Sequence, residues 1–421
     1  MAVGYRPVRD GLATVLIRRT SLLMSMLISG GLMLFPRVPM LAVVLGAFFF
    51  LTRPVWKVNQ RMLAPIALFV GLLIFAIGHP SGLEIPSLAT RFGNFLGALA
   101  LLAIYLKAGD SALVDDLMAL VPWMAVQAVL TVPIAVLFPF LFVELNINET
   151  PYRTVLLIFN YHVLNEEATT LPRPDGWFFE PGVFQMYLNL YFILALFVKR
   201  DIRHAALAAM AVLATQSTTG IVILFISVAA YYWRTVKVGS LWRRIKVFLA
   251  GFVVALVVGV VAFENITSKL SGADRGSAWA REYDTLTGLA VAFANPIFGV
   301  GLSHESYYRA ADSLGFAGTA LSEEHLLDRG NSNGVVTVLY SLGLPAGTLL
   351  FLLLFRQRLL CPGWLVSSAI FLSMLTEALF WSPFVMMFVF SGLVGGIRFA
   401  VSRGVQEAHG PSSLEASGRN R

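Results

Sequence analysis

The sequence predicts an all-α polytopic membrane protein with about 12 transmembrane helices, and three observations predict it. The chain of 421 residues is 57% hydrophobic and only 13% charged, whereas soluble proteins carry about a quarter charged residues. The apolar residues form long blocks over almost the whole length. These blocks lack the alternating polarity of a β-barrel, and lipid offers the backbone no hydrogen-bond partners, so helices are expected.

The apolar blocks provide twelve candidate spans, and several of them are shorter than the roughly 20 residues that a helix needs to cross the hydrocarbon core. They lie at residues 20–36, 39–52, 62–78, 88–106, 118–143, 183–198, 204–215, 219–233, 246–263, 334–355, 363–380 and 383–399. We interpret the first as an uncleaved span, because no small-residue cleavage pattern precedes a soluble domain. Residues 1–403 are therefore predicted to form one transmembrane domain, and the polar residues 404–421 a disordered cytoplasmic tail.

The distribution of Lys and Arg predicts the orientation. If all twelve segments cross, the two tails and alternate connections share one side, which carries most of the 31 basic residues. By the positive-inside rule this side, with both termini, is cytoplasmic. The rule and attraction to anionic lipid explain the net charge of +7, so no nucleic-acid partner is predicted. The single cysteine excludes an internal disulfide, and the lack of Cys and His clusters argues against structural zinc.

Two long connections, 144–182 and 264–333, lie on the other side and are predicted to be periplasmic loops. In the second, the helical period predicts an amphipathic helix at the membrane surface. Its apolar face carries Trp279, Tyr283, Leu286, Ala290 and Phe293. Arg281 lies on the opposite face, where two interpretations remain open: a functional cation, or a local pair with Asp284.

Two polar interruptions stand next to apolar segments. "TQSTTG" at 215–220 breaks the stretch 204–233, and it either lines a cavity or joins two short tilted helices with Ser and Thr caps. "NSN" at 331–333 precedes Gly334, and it is either a helix cap or part of a site.

The predicted outer side gathers charges that suit a phosphate. Arginine is the preferred fork-shaped donor to phosphate oxygens, and this side holds Arg153, Arg173, Arg275, Arg281 and Arg329. Glu180 and the histidines His162, His304 and His325 accompany them. The pattern predicts a site for a lipid-linked phosphate without separating an enzyme from a transporter. Glu377, near the end of a predicted span, would support a transporter, or it is an interfacial, hydrogen-bonded side chain.

Four stretches, in this order, carry a resemblance to a known family. They are "FFEPGVFQMYLNLYFILAL", "ATQSTTGIVILFISVAAY", "AREYDTLTGLAVAFANPIFGVGL" and "NSNGVVTVLYSLGLPAGTLLFLLLF". The chain resembles the O-antigen polymerase and O-antigen ligase superfamily of bacterial envelope glycosyltransferases from about Arg173 to Phe399. The ligase branch has a His-Asn type motif where this chain has Asn331-Ser332-Asn333, so the resemblance favours a polymerase.

The resemblance implies a metal-independent, inverting glycosyltransferase without a cofactor, working at the periplasmic face of the bacterial inner membrane. It would join oligosaccharide repeat units carried on undecaprenyl pyrophosphate into O-antigen or exopolysaccharide. The donor and acceptor lipids are its expected partners, beside membrane lipids, and a chain-length regulator and a flippase are candidate partners. The alternatives are an O-antigen ligase that transfers glycan to lipid A-core, and a secondary transporter or flippase.

The resemblance also implies residue roles. The cations expected to bind the pyrophosphate are Arg281, Arg173 and Arg329. The groups expected to take the acceptor proton are Glu180, His325 and His304. The side chains expected to contact glycan or line the cavity are Trp177, Asn331, Asn333 and Ser217.

Overall fold

The computed structural model of the protein describes residues 11–31, 36–52, 60–80, 85–147, 150–162, 171–236, 275–316 and 331–395. The predicted span 246–263, the predicted tail 404–421, and the candidate residues His325 and Arg329 lie outside these ranges. The described part is mostly helical, as predicted. Its helices are α1 Leu12–Ile28, α2 Arg37–Thr52, α3 Leu63–Gly78, α4 Ile85–Ala108, α5 Ala112–Leu137, α6 Pro181–Ile193, α7 Ile202–Ala214, α8 Thr218–Val236, α9 Arg275–Ala294, α10 His304–Ser313, α11 Gly334–Phe355, α12 Gly363–Met374 and α13 Pro383–Ser391.

Five helical stretches of the described ranges are long and apolar enough to cross a membrane. They are Gln60–Gly78, Ile85–Ala108, Ala112–Leu137, Pro181–Lys199 and Gly334–Phe355. Four shorter apolar helices accompany them: Arg37–Thr52, Ile202–Ala214, Thr218–Arg234 and Gly363–Met374. The arrangement is that of a polytopic helical membrane protein, whereas the number of twelve spans stays a prediction.

Several helix boundaries differ from those predicted. The first helix runs from Leu12 to Ile28 rather than from about residue 20 to 36, and it takes two arginines into its body. The fifth segment ends at Leu137, and residues 139–147 form a 3-10 turn and a strand instead. The segment 363–380 is helical only to Met374, and a non-helical stretch leads from there to Pro383.

Two helices form the centre of the bundle. Every residue of α6 is buried, and this helix contacts α5, α7, α8 and α12. Every residue of α13 is also buried, among α1, α3, α4 and α11. Apolar residues all round a helix are the pattern of one enclosed by other helices. These two helices are therefore fixed in place, and so are the residues at their ends.

The connection 144–182 contains a β-sheet, so the prediction of an all-α fold was wrong there. Four antiparallel strands pair in chain order: β1 Val143–Ile147, β2 Thr150–Val155, β3 Phe159–His162 and β4 Arg173–Pro174. The turn between β2 and β3 places Leu156 and Leu157 at positive φ. In β2, Tyr152 and Thr154 are buried and alternate with less buried neighbours, so the sheet turns one face inward.

A buried ion-pair cluster fixes α1 to α5. Arg18 donates to both carboxylate oxygens of Asp116, at 2.5 and 3.2 Å, and Arg19 donates to the same group at 3.1 Å. The hydroxyl of Tyr105 adds a third donor at 3.2 Å. Because Asp116 neutralises the buried Arg18 and Arg19 is partly exposed, α1 continues through both arginines, which explains its early start.

We expect Asp116→Ala to lower the free energy of unfolding by about 3–5 kcal/mol, because it leaves the buried Arg18 without its carboxylate. The thermal midpoint of the detergent-solubilised protein measures this loss. Asp115→Ala is the matched control, since Asp115 forms a half-exposed pair with Lys199 and such pairs contribute at most about 1 kcal/mol. Equal midpoints for the two variants would contradict the prediction.

Candidate active site

One cluster joins two predicted site residues to a third carboxylate. The Nη2 atom of Arg281 lies 3.6 Å from Oε2 of Glu180 and 3.6 Å from Oε1 of Glu377. The side chains of Arg281 and Glu180 are 34% and 35% exposed, whereas that of Glu377 is only 4% exposed. Both separations exceed the range of a direct hydrogen bond, so the guanidinium lies beside two carboxyl groups at ion-pair distance. We call these three residues the Glu-Arg-Glu cluster.

Glu180 is placed by the beginning of α6. It has an extended backbone, with φ −142° and ψ 145°, and Pro181 opens the helix as its first residue. This agrees with the preference of proline for extended geometry before it and for the first helical turn after it. On the other side, Phe178 bridges to Gly31 and the hydroxyl of Tyr152 donates to the carbonyl of Phe179 at 2.8 Å.

Arg281 is placed by the attachment of α9 to the segment before α11. Asn331 Nδ2 donates to the carbonyl of Asp284 at 2.6 Å. The backbone N–H and hydroxyl of Ser332 both donate to the carboxylate of Asp284, at 3.0 and 2.6 Å. Asn333 caps α11 by accepting from Val335 and Val336, and its amide donates to Thr285 at 3.2 Å. The "NSN" motif is thus a helix cap that also binds the helix carrying Arg281.

Neighbouring residues of α9 also hold this helix against α11 and against the residues after α10. A side chain on Gly288 would bring its Cβ to 2.3 Å from Val336, so glycine permits the close approach of α9 to α11. The hydroxyl of Tyr283 donates to the carbonyl of Phe316, just after α10. Leu286 and Phe293, from the predicted apolar face, stay exposed, while Asp284 and Gly288 face protein. Arg281 therefore has Glu180 and Glu377 as partners, while Asp284 accepts from Ser332.

The predicted break between α7 and α8 is present, and it reaches the same end of the bundle. Gln216 adopts a positive φ of 53° and donates to the carbonyls of Leu171 and Pro172, at 3.1 and 3.4 Å. Ser217 is buried, and its hydroxyl accepts from the N–H of Gly220 at 3.3 Å. Thr219 hydrogen-bonds to Thr376 at 3.3 Å. The turn thus joins the loop before α6 to the residue next to Glu377.

Strand β4 and the residue that follows it bring two further titratable side chains, Arg173 and Asp175, near the cluster. Burial raises the pKa of the Asp175 carboxyl well above its ordinary value, Arg173 opposes this shift, and Glu180 adds to it. Burial, together with the charges of Asp175 and Glu180, also raises the pKa of Tyr152. The charge of Arg173 acts on Glu377 as well. Arg173 and Arg281 therefore share one electrostatic environment, and it contains carboxylates as well as guanidinium groups.

The remaining predicted residues occupy different positions. Trp177 is half-buried and its indole N–H donates to the carbonyl of Leu157 at 3.1 Å. Asn331 and Asn333 are buried and hydrogen-bonded within the protein, as described above. His304 begins α10 with an exposed side chain. Their predicted contacts with glycan or acceptor stay predictions, as do those of Ser217.

The sequence analysis did not identify two residues at this end of the bundle as site residues. Glu377 entered only as a transporter feature or an interfacial side chain, although it is the buried member of the cluster. Arg91, inside a predicted span, is buried with its guanidinium carbon 5.4 Å from the ring centroid of Trp381, a cation–π geometry. The signal available for both was a charge within an apolar segment.

The cluster is suited to a phosphate and a proton acceptor in one place. A one-third exposed guanidinium presents N–H donors to an incoming anion, and the adjacent exposed carboxylate accepts a proton. The structure adds a buried carboxyl group, that of Glu377, to the arginine and the exposed carboxylate that the sequence analysis named.

Comparison with known protein families gives a match for this chain. The model of the WcaD colanic acid polymerase family matches residues 116–313. Curated proteins and solved structures give no match. The matched residues include Glu180 and Arg281 and exclude Glu377. The match supports the family that the sequence motifs indicate, that of the O-antigen and exopolysaccharide polymerases.

Proposed function

We propose that this protein polymerises oligosaccharide repeat units carried on undecaprenyl pyrophosphate, at the periplasmic face of the bacterial inner membrane. The family match supports a polysaccharide repeat-unit polymerase. The observation that carries the proposal is the Glu-Arg-Glu cluster, because it holds an accessible guanidinium 3.6 Å from an accessible carboxylate. A glycosyl transfer with a pyrophosphate leaving group needs both functions.

In the proposed reaction, the hydroxyl oxygen of the acceptor sugar attacks the anomeric carbon of the donor glycan. The bond between that carbon and the pyrophosphate oxygen breaks, and its electron pair stays on the pyrophosphate. Direct displacement inverts the anomeric configuration. The acceptor proton passes to Glu180, and such general-base assistance contributes about 10²–10⁴-fold. His325 and His304 remain the alternative bases.

Arg281 neutralises the charge that develops on the departing pyrophosphate, and Arg173 and Arg329 assist it. Stabilisation of developing charge by fixed donors is usually the largest single contribution to an enzymatic rate. Arginine meets the leaving group in this proposal, so the step requires no metal. Undecaprenyl pyrophosphate is released, while the acceptor lipid keeps the longer glycan.

Reconstitution of the purified protein in proteoliposomes with a lipid-linked repeat unit tests the proposal. We expect a ladder of lipid-linked oligomers by mass spectrometry and release of one undecaprenyl pyrophosphate per bond formed. A transporter would move the lipid-linked sugar without forming glycosidic bonds, and a ligase would need lipid A-core as acceptor. Either result, in place of the ladder, would overturn the polymerase proposal.

A further inference from the structure

Glu377 lies where several elements meet, between α12 and α13. The adjacent Thr376 hydrogen-bonds to Thr219 at the beginning of α8. The carbonyl of Glu377 accepts from the N–H of Leu379 at 2.8 Å. This carbonyl also packs against α11, where a Cβ on Gly334 would come within 2.7 Å of it. The backbone that carries the carboxylate is therefore fixed from two helices.

The carboxylate itself occupies space left by a glycine. A Cβ added to Gly182, in the first turn of α6, would lie 1.8 Å from Oε1 of Glu377. The absence of a side chain there lets the carboxylate rest against the first turn of a buried helix. Glu377 is thus a buried carboxyl group in a prepared position, and Arg281 is its charged neighbour at 3.6 Å.

The two carboxylates of the Glu-Arg-Glu cluster differ in accessibility although both lie 3.6 Å from the guanidinium. Glu377 is 4% exposed and fixed, whereas Glu180 is 35% exposed and its carboxylate caps no helix N–H. An anion from solvent can reach Arg281 and Glu180, which are each about one-third exposed, whereas Glu377 is buried. Such an anion therefore competes with Glu180 for the guanidinium, while Glu377 stays in place.

We infer that Glu377 is a positioning residue that holds Arg281 while bound pyrophosphate displaces Glu180 from it. The inference rests on the proposed function for its role in catalysis. Displacement leaves the Glu180 carboxylate free to accept a hydrogen bond from the acceptor hydroxyl. The base is then released only when the donor is bound, which couples donor binding to acceptor activation.

Binding of inorganic pyrophosphate to the full-length, detergent-solubilised protein tests the inference. Glu180→Gln removes the displaced competitor and should strengthen binding by about fivefold. Glu377→Gln removes the inner support of Arg281 and should weaken binding by about fivefold, although it also removes a negative charge. Glu282→Gln, on the exposed face of α9, is the matched control and should leave the dissociation constant unchanged.

The opposite signs are diagnostic, because simple charge repulsion predicts tighter binding for both variants. If both substitutions strengthen binding, or if Glu377→Gln has no effect, the positioning role is overturned. Titration calorimetry separates stoichiometry from affinity, so a partly unfolded variant shows fewer sites rather than an altered dissociation constant. In an Arg281→Lys background the effect of Glu377→Gln should shrink to less than about twofold, since the two residues act together.

The turnover assay separates this inference from the proposed function. If the wild-type protein forms no oligomers but the opposite shifts in pyrophosphate affinity are present, the polymerase proposal fails and the positioning role stands. If the wild-type protein polymerises and the affinities do not shift oppositely, only the positioning role fails.

Discussion

Arg281→Ala is expected to abolish long-chain polymer while leaving a folded protein. The side chain is one-third exposed and makes its two ion pairs at 3.6 Å, so its loss removes a charge on the leaving group rather than core packing. Loss of one fixed donor to developing charge costs about 10²–10³-fold in rate. The chain-length ladder in cells and the turnover of the purified protein measure the effect.

Two further variants test whether the reaction requires an arginine, rather than any cation, at position 281. Arg281→Lys keeps the charge without the planar fork, so we expect intermediate activity. Arg309→Ala is the matched control, because Arg309 is exposed on α10 and pairs with Glu305 at 2.5 Å. Wild-type ladders from Arg281→Ala would contradict the assignment of Arg281 to the pyrophosphate.

Gly182→Ala is expected to cause the second large effect, on stability as well as activity. The new methyl carbon would lie 1.8 Å from Oε1 and 2.7 Å from the carboxyl carbon of Glu377. Because α6 is buried along its whole length, it has little room to shift. Overpacking of this kind costs about 1–3 kcal/mol or more, and it would displace the carboxylate that supports Arg281. Thermal midpoint and oligomer yield are the measurements.

The matched control is Gly71→Ala in α3, where an added Cβ meets no atom within 4 Å. Alanine there is expected to be neutral or slightly stabilising, as is usual inside a helix. The double variant Gly182→Ala, Glu377→Ala should regain stability without regaining activity, since the clashing carboxylate is gone. A stable and active Gly182→Ala protein would contradict the described packing.

Much of the helical architecture could be predicted because long apolar blocks have few alternatives in lipid. The break at 215–220 was predicted from its polar residues, and the helix around Arg281 from its amphipathic period. The sheet was not predicted, because its strands are short and the β2–β3 turn uses Leu156 and Leu157 rather than the Gly or Asn that mark such turns. The beginning of α1 was missed because the sequence does not reveal that Asp116 neutralises Arg18.

The candidate site could be predicted in part. Glu180 and Arg281 were both named as charges on the predicted outer side, and the resemblance implied their roles. The sequence did not reveal that these two side chains lie together, because they are about a hundred residues apart. Glu377 was noted as a charged residue but not as their partner. Its carboxyl group fits beside α6 only because residue 182 is a glycine, and the sequence does not show this contact. The segment with Asn331 and Asn333 was predicted as a possible helix cap. The hydrogen bonds of these residues to α9 could not be predicted, because they depend on tertiary packing.

The two attachments of α9 have a consequence for how the chain tolerates change. Tyr283 binds the carbonyl of Phe316, and the carbonyl of the next residue along α9, Asp284, binds Asn331. Phe316 and Asn331 therefore meet consecutive positions of a single helix. Loss of either attachment, in Tyr283→Phe or Asn331→Ala, should disturb Arg281 as well, because Arg281 lies within one turn of both contacts.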